Sequence, residues 1–254
     1  MSRFFSNKYS ALEPYVPGEQ PSCMSEYVKL NTNESPFPPS KKAMDYALNN
    51  TRALNLYSDP DSVELSKAIA DTYNVERNMV LATNGSDEIL NFAFMAFTDS
   101  SNPALFADIT YGFYPVFASL NGSRTEIIPL REDFTIAVDD YIDRKGTVFI
   151  ANPNAPTGIA LPVSEIERLV ASNPDRVVVI DEAYVDFGGE SAVGLTKKYD
   201  NILVCQTFSK SRSFAGGRLG YGIGSEALIS DLNTVKYSTN PYNINAMTMA
   251  LGEG

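Results

Sequence analysis

The sequence contains no histidine among its 254 residues and only two cysteines, Cys23 and Cys205. Without histidine, the serine–histidine and cysteine–histidine pairs that activate many enzyme nucleophiles are excluded. The same absence argues against a zinc site, since histidine and cysteine supply most zinc ligands. Cys205 lies in an apolar run typical of a buried strand. We therefore expect reduced thiols and a cytoplasmic protein rather than a disulfide framework.

Positive charge is scarce, and long apolar runs are missing. The chain has 20 basic and 31 acidic residues, and its net charge of −11 argues against nucleic acid or an anionic membrane as a partner. The first five residues lack the apolar core of a signal peptide, and no window is long enough for a membrane span. Neither a Gly-x-Gly-x-x-Gly nor a Walker pattern occurs, so a nucleotide-binding module finds no phosphate loop here.

Short apolar runs alternate with helical patterns along most of the chain. Strand patterns occur at 79–83, 104–106, 125–130, 147–150, 177–180 and 202–205. Helical patterns occur at 41–49, from 61 onward, at 89–97 and at 162–173, where Ser164 and Glu167 have capping-box spacing. Near-continuously apolar strands between helices predict a three-layer α/β/α fold with a mainly parallel sheet. Residues 1–40, rich in proline, glycine and asparagine, predict an extended arm.

Three charged residues follow strand patterns where a ligand crevice is expected. Asp181 ends the run at 177–180, Lys210 follows the run at 202–205, and Arg218 comes eight residues later. In open α/β sheets, the carboxyl ends of parallel strands border the ligand. An acid, an amine and a guanidinium at that edge suit pyridoxal 5′-phosphate, whose ring nitrogen, aldehyde and phosphate need these groups.

Each of these candidates also has an ordinary explanation when it is taken alone. Lys210 fits a surface lysine, and Asp181 fits a helix cap or a magnesium ligand. The Gly85–Ser86–Asp87 turn, between a strand and a helix, would offer backbone N–H groups to an anion, but it also fits a plain turn. Aromatic residues near 111 could stack on a flat ring or pack in the core. The turn at 152–158 holds amides that could bond a ring oxygen.

Taken together and in this order, the motifs are far more specific. They are Tyr-Val-Pro-Gly-Glu at 15–19, Lys-Leu-Asn-Thr-Asn-Glu-Ser-Pro at 29–36, Tyr-Ser-Asp-Pro at 57–60, Asn-Gly-Ser-Asp-Glu at 84–88, Asn-Pro-Asn-Ala-Pro-Thr-Gly at 152–158, Asp-Glu-Ala-Tyr-Val-Asp-Phe at 181–187, and the segment 207–221. Nearly the whole chain thus resembles the fold-type I pyridoxal-phosphate aminotransferases. Within them, the Pro-Gly-Glu and Asn-Glu-Ser-Pro segments resemble the histidinol-phosphate aminotransferase subfamily.

The resemblance implies a role for each matched residue around the cofactor. Lys210 is expected to form the Schiff base and to move the proton of transamination. Asp181 is expected to bond the ring nitrogen, and Tyr184 the phenolic oxygen. Tyr111 is expected to stack on the ring. Ser209 and Arg218, with the backbone amides of Ser86 and Asp87, are expected to bind the phosphate. Gly85 and Thr207 are expected among the other cofactor-binding residues.

The resemblance also implies residues that reach the site from farther away. Tyr57 matches a tyrosine that contacts the phosphate of the neighbouring subunit, which implies a homodimer with shared active sites. Asn33 matches a segment that closes over the substrate. Tyr242 and Asn243 match a segment near the substrate phosphate.

The sequence departs from its relatives at two places. Ala155 stands where many relatives have the asparagine that bonds the phenolic oxygen, so that role is carried over to Asn154. Relatives also continue into a carboxy-terminal small domain whose arginine binds the substrate carboxylate. We therefore expect residues 1–50 to form an arm and part of the small domain, residues 51–254 to form the cofactor-binding large domain, and the small domain to be incomplete.

The resemblance implies amino transfer between two small molecules, L-histidinol phosphate and 2-oxoglutarate, yielding imidazole-acetol phosphate and L-glutamate. The sequence leaves alternatives open. An aromatic aminotransferase or a threonine-phosphate decarboxylase would share the cofactor residues. A protein that binds the cofactor without catalysis would share them as well.

Overall fold

The computed structural model describes residues 3–9, 12–13, 15–20, 27–51 and 54–254. Cys23 lies outside these residues. Within them, seven strands form one sheet: β1 (Val80–Thr83), β2 (Ala104–Ala107), β3 (Thr125–Ile128), β4 (Thr147–Ala151), β5 (Val178–Asp181), β6 (Ile202–Thr207) and β7 (Gly220–Gly224). The α-helices are α1 (Lys41–Asn50), α2 (Val63–Tyr73), α3 (Ser86–Phe97), α4 (Tyr114–Asn121), α5 (Asp139–Ile142), α6 (Val163–Ala171), α7 (Glu226–Thr239) and α8 (Ala246–Glu253).

The strands lie in the order β1-β7-β6-β5-β4-β2-β3. The pairs from β6 across to β3 are parallel, whereas β7 runs antiparallel to both β1 and β6. Successive strand residues alternate between two apolar cores, one on each face: Val148 and Ile150 enter one, and Phe149 enters the other. The expected three-layer, mainly parallel α/β fold is confirmed. No helix in the described part of the chain is long and apolar enough to cross a bilayer.

Strand β7 and helix α7 were not anticipated from the sequence. The Gly-Tyr-Gly-Ile-Gly sequence of β7 carries only two large side chains, so it lacks the apolar run by which the other strands were recognised. The glycines are needed because neighbours approach closely: a β-carbon at Gly222 would lie 2.8 Å from Ile89 Cδ1. Helix α7 starts at a serine cap, where Ser225 Oγ accepts a hydrogen bond from Leu228 N at 3.3 Å.

The amino termini of α6 and α2 are capped in different ways. The capping box assigned to Ser164 and Glu167 is wrong, since α6 has no side-chain cap and Glu167 Oε1 instead accepts a hydrogen bond from Tyr199 Oη at 3.0 Å. Helix α2 has no cap from Ser62, but Asp59 Oδ2 accepts a hydrogen bond from Val63 N at 2.9 Å. Spacing identifies candidate caps, and the approach of the chain to the helix decides which one forms.

Arg176 lies just before β5, where its side chain holds neighbouring elements together. Its side chain is buried, with 3% of its surface exposed, and it binds no carboxylate among the described residues. The guanidinium instead donates to the oxygens of five residues: Tyr141, Ile142, Arg144, Leu169 and Ser172. The guanidinium thereby donates to carbonyl groups at the ends of α5 and α6, and it holds both helices against β5.

Replacing Arg176 with alanine is expected to lower the free energy of unfolding by about 3 kcal/mol, because several buried carbonyl oxygens lose their donors. Urea denaturation followed by circular dichroism measures this loss. Arg168→Ala is the matched control: its ion pairs with Asp139 and Glu165 lie at the surface, so its loss is expected to be much smaller. Equal losses for the two variants would contradict the role assigned to Arg176.

Candidate functional site

A cavity of about 290 Å³ opens at the carboxyl edge of the sheet. Strand β5 ends there in Asp181, and β6 ends there in Thr207, three residues before Lys210. Because β7 runs in the opposite direction, the residues that precede it, including Arg218, lie at the same edge. The cavity lining includes Thr32, Glu34, Ser86, Asp87, Tyr111, Asp181, Tyr184, Thr207, Ser209, Lys210 and Arg218. The acid, the amine and the guanidinium singled out in the sequence therefore line the same cavity.

Asp181 supplies a buried carboxylate to the cavity. Its residue surface is 4% exposed, and it accepts hydrogen bonds from Tyr114 Oη at 3.1 Å and from Ala183 N at 3.2 Å. Burial raises the pKa of the Asp181 carboxyl to about 7, the bond from Tyr114 lowers it, and the charge of Asp87 raises it further. Both hydrogen-bond donors are uncharged, so a cationic group placed beside Asp181 would stabilise its ionised form.

Lys210 extends into the cavity beside Tyr184. Its Nζ donates a hydrogen bond to the carbonyl oxygen of Thr32 at 2.8 Å and lies 5.6 Å from the centre of the Tyr184 ring. The hydroxyl of Tyr184 accepts a hydrogen bond from Asn33 Nδ2 at 2.9 Å. Asn33 itself is absent from the cavity lining, but Thr32 and Glu34 on either side of it belong to the lining. The segment 32–34 therefore covers both functional groups.

Arg218 lies against the amino terminus of α3. Its Nη2 donates to Asp87 Oδ2 at 3.2 Å, and its Nη1 approaches Ser209 Oγ at 3.4 Å. A β-carbon on Gly85, whose φ is +82°, would lie 2.6 Å from Arg218 Nη2. A β-carbon on Gly220 would collide with the backbone nitrogen of Ser86. These two glycines let a guanidinium and a helix amino terminus share one corner, which is an arrangement suited to an anion.

Tyr111 forms the wall between this corner and Asp181. Its hydroxyl donates to Asp87 Oδ1 at 2.7 Å, and its ring meets the Tyr114 ring edge-on, with centroids 5.6 Å apart. Burial, followed by the negative charge of Asp87, raises the pKa of the Tyr111 phenol well above its ordinary value. The phenol therefore stays protonated and acts as a hydrogen-bond donor, while its ring lines the cavity.

Asn154 does not line the cavity. The residue is 2% exposed, and its Nδ2 donates to the carbonyl oxygen of Ile109 at 3.0 Å and to Thr157 Oγ1 at 3.1 Å. Its Oδ1 accepts a hydrogen bond from Thr110 Oγ1 at 2.8 Å. With both amide hydrogens engaged in holding neighbouring turns, Asn154 has no donor left for a ligand in this conformation.

Three further residues singled out in the sequence lie away from the cavity. Tyr57 is 83% exposed, and its ring stacks on that of Tyr242 with centroids 4.5 Å apart. Asn243 is buried and donates to Glu88 Oε2 at 2.5 Å. Ser58 Oγ donates to the carbonyl oxygen of Ile244 at 2.6 Å, so the segments around 57 and 242 are held together as one surface.

Sequence reasoning missed three contributors to the site. Thr32 acts through a backbone carbonyl, which no residue pattern reveals. Tyr114 shares a motif with Tyr111, but its burial makes it the donor to Asp181. Arg212 supports the Lys210 loop from behind: it donates to the carbonyl oxygen of Thr207 at 3.2 Å, and its guanidinium lies 5.0 Å from the centre of the Phe208 ring.

Comparison with known proteins places this geometry in a family. The model of aminotransferase class I and II matches residues 25–248. The chain belongs to that family. A histidinol-phosphate aminotransferase of Brachyspira hyodysenteriae is 51% identical over 99% of this chain and 72% of its own length. One of Acinetobacter baumannii is 52% identical over 98% of this chain and 70% of its own length.

Solved structures share the fold of this aminotransferase. The histidinol-phosphate aminotransferase of Clostridium acetobutylicum matches with a TM-score of 0.78 at 25% identity, covering 87% of this chain and 67% of that one. The enzyme of Sinorhizobium meliloti, determined in complex with pyridoxal-5′-phosphate, matches with a TM-score of 0.78 at 19% identity, covering 87% and 62%. The aminotransferase described here thus spans about 70% of the length of its sequence relatives.

The raised pKa of Asp181 predicts a pH-dependent stability in the protein without added ligand. Between about pH 4 and pH 7, folded Asp181 keeps a proton that the unfolded chain has released, so the free energy of unfolding falls as the pH rises. A shift from 3.8 to about 7 corresponds to about 4 kcal/mol. We expect Asp181→Asn to lack this decline, as measured by urea denaturation across that range. Asp231→Asn, an exposed change on α7, is expected to keep it; parallel curves for all three proteins would refute the prediction.

Proposed function

We propose that this aminotransferase binds pyridoxal 5′-phosphate and exchanges the amino group of L-histidinol phosphate with 2-oxoglutarate, giving imidazole-acetol phosphate and L-glutamate. The observation that carries the proposal is the meeting of Asp181, Lys210 and Arg218 in one cavity. The two relatives at 51% and 52% identity are named histidinol-phosphate aminotransferases, which supports the choice of substrate. The Sinorhizobium meliloti enzyme was determined in complex with pyridoxal-5′-phosphate, which supports the choice of cofactor.

The residues of the cavity fit the chemical groups of this cofactor. Arg218, Ser209 and the amino terminus of α3 would hold its phosphate, because they offer a cation and N–H donors around a corner kept open by glycine. Asp181 would hold the proton on its ring nitrogen. The raised pKa of this carboxyl supports the assignment. Asp181 is buried without a cationic partner, and a protonated ring nitrogen would supply the positive charge that stabilises its ionised form.

The remaining roles follow from the positions of the side chains. Bound pyridoxal phosphate supplies an electron-withdrawing ring that stabilises negative charge on the substrate carbon beside the amine. Lys210 would carry the aldehyde and, once its Nζ is released, would take the proton from that carbon and pass it to the former aldehyde carbon of the cofactor. Tyr184, whose hydroxyl is held by Asn33, would donate to the phenolic oxygen. Tyr111 would stack on the ring while its hydroxyl stays bound to Asp87.

We also propose that the working protein is a cytoplasmic homodimer whose subunits share their active sites. Tyr57 supports this arrangement, since it stands 83% exposed on a surface away from its own cavity, where it is available to a second copy. Tyr242 stacks on Tyr57 and would set the direction of its hydroxyl. Tyr242 and Asn243 would then border the substrate phosphate from that shared surface. The buried, reduced Cys205 supports the compartment.

Lys210→Ala is expected to abolish covalent capture of the cofactor, because no other amine lies in the described cavity lining. Borohydride reduction after incubation with pyridoxal phosphate, followed by peptide mass spectrometry, measures this. We expect the adduct on the peptide containing Lys210 in the wild type and none in the variant. Lys67→Ala, which removes an exposed lysine from α2, is expected to retain the adduct. An undiminished adduct on another peptide of Lys210→Ala would overturn the assignment.

The amino donor is tested by single-turnover spectroscopy of the cofactor-loaded protein. L-histidinol phosphate is expected to convert the cofactor to its amine form at least tenfold faster than phenylalanine, and 2-oxoglutarate is expected to reverse the change. A faster reaction with phenylalanine would indicate an aromatic aminotransferase. Carbon dioxide release from threonine phosphate would indicate the decarboxylase, whose Porphyromonas gingivalis representative shares this fold with a TM-score of 0.76. Cofactor binding without any conversion would indicate a protein inactive in this form.

A further inference from the structure

The side chain of Asp87 contacts both halves of the proposed phosphate corner. Its Oδ1 accepts the hydroxyl of Tyr111 at 2.7 Å, and its Oδ2 accepts Arg218 Nη2 at 3.2 Å. The sequence motif had suggested a use only for the backbone amide of this residue. The carboxylate, however, is the negative partner of the guanidinium that the proposed function assigns to the cofactor phosphate.

We propose that the Asp87 carboxylate is a placeholder for that phosphate: it pairs with Arg218 until an anion displaces it, and it thereby discriminates against free phosphate. The inference rests on the proposed function, in which Arg218 receives the phosphate of pyridoxal phosphate. Asp87 is a specificity-determining residue in this scheme, because it makes an anion compete for the guanidinium.

The ion pair between Asp87 and Arg218 is suited to being displaced. The two side chains are 37% and 45% exposed, and a pair that remains in contact with water contributes little to stability. The second contact of the guanidinium, to Ser209 Oγ, is long at 3.4 Å. An incoming phosphate oxygen can therefore replace the carboxylate without breaking a buried bond.

Displacement leaves the carboxylate fixed near the anion. Asp87 stays bound to Tyr111, which donates from a half-buried position and keeps its proton. A phosphate dianion in this corner must then tolerate a like charge a few ångströms away, which weakens its binding.

The repulsion lowers the affinity of the corner for both forms of phosphate by a similar factor. Free phosphate has only the corner to bind, so the penalty leaves it weakly bound. A phosphate tethered to the cofactor ring gains further contacts at Asp181, Tyr184 and Lys210, so it stays bound despite the same penalty. Asp87 thus keeps inorganic phosphate, which is abundant in cells, from occupying the corner, while the tethered group still binds.

The variant Asp87→Asn distinguishes competition for Arg218 from a purely structural role in which Asp87 only holds Arg218 in position. The amide keeps one oxygen for the Tyr111 hydroxyl but removes the competing charge. We expect inorganic phosphate to bind the cofactor-free protein about tenfold more tightly in this variant, measured by isothermal titration calorimetry at low ionic strength. The dissociation constant of pyridoxal phosphate is expected to fall by a similar factor, because its phosphate enters the same corner. If Asp87 only held Arg218 in position, the Asp87→Asn variant would instead bind phosphate more weakly than the wild type.

Three controls locate the effect. Glu226→Gln removes an acid from the first turn of α7 and is expected to leave phosphate affinity unchanged. Tyr111→Phe removes the other hydrogen bond of Asp87 but keeps its charge, so it is expected to give no gain. Adding Arg218→Met to Asp87→Asn is expected to abolish the gain. Equal or weaker phosphate binding by Asp87→Asn, or a gain that survives loss of Arg218, would overturn the proposal.

A measurement on the wild type covers the case in which the Asp87 variant does not fold. Carbon-13 NMR of the aspartate carboxyl groups is expected to show the Asp87 resonance shifting on titration with inorganic phosphate, as its partner leaves. An unchanged resonance at saturating phosphate would refute the displacement. Both experiments use cofactor-free protein, so a failed placeholder is distinguishable from a failed cofactor assignment, which the Lys210 adduct reports.

Discussion

The antiparallel insertion of β7 between β1 and β6 is the constraint on which this site depends. Thr83, Gly220 and Thr207 lie side by side across the three strands, so the end of β1, the start of β7 and the end of β6 meet at one edge. That meeting brings Arg218 from one segment, Lys210 from another and the α3 turn from a third to the same cavity. A parallel β7 would begin at the opposite edge and carry Arg218 away from Lys210.

Charge is distributed unevenly along this cavity, and the pattern defines the ligand. At one end, Arg218 and the α3 amino terminus attract an anion. At the other, buried Asp181 has only neutral donors and a pKa near 7, so it favours a cation. Lys210 and Tyr184 also line the cavity and supply an amine and a hydroxyl. A flat molecule that carries a phosphate, a basic ring nitrogen and a carbonyl matches these groups.

The sequence allowed the sheet and the main residues of the cavity to be predicted because both leave strong local signals. Continuous apolar runs mark buried strands, and the charged residues that follow them lie at the ligand edge. β7 was not predicted because its alternate positions are glycine, and the Ser164 cap does not form because α6 begins at Val163, so Ser164 lies inside the helix. The position of Asn154 outside the cavity lining could not be predicted, because its partners Ile109 and Thr110 are distant in sequence. Contacts of this kind, like the Thr32 carbonyl on Lys210, arise only from tertiary packing.

Gly220 bears no functional group, yet the geometry of the anion corner requires glycine at this position. Its bare α-carbon is what permits Ser86 to sit against β7, and alanine there would push the helix start outward. Evolutionary drift at this strand position must therefore be accompanied by a compensating change in the 84–86 turn. In sequence comparisons the two should vary jointly, and a designer transplanting the cofactor corner to another scaffold must carry the glycine along with the side chains.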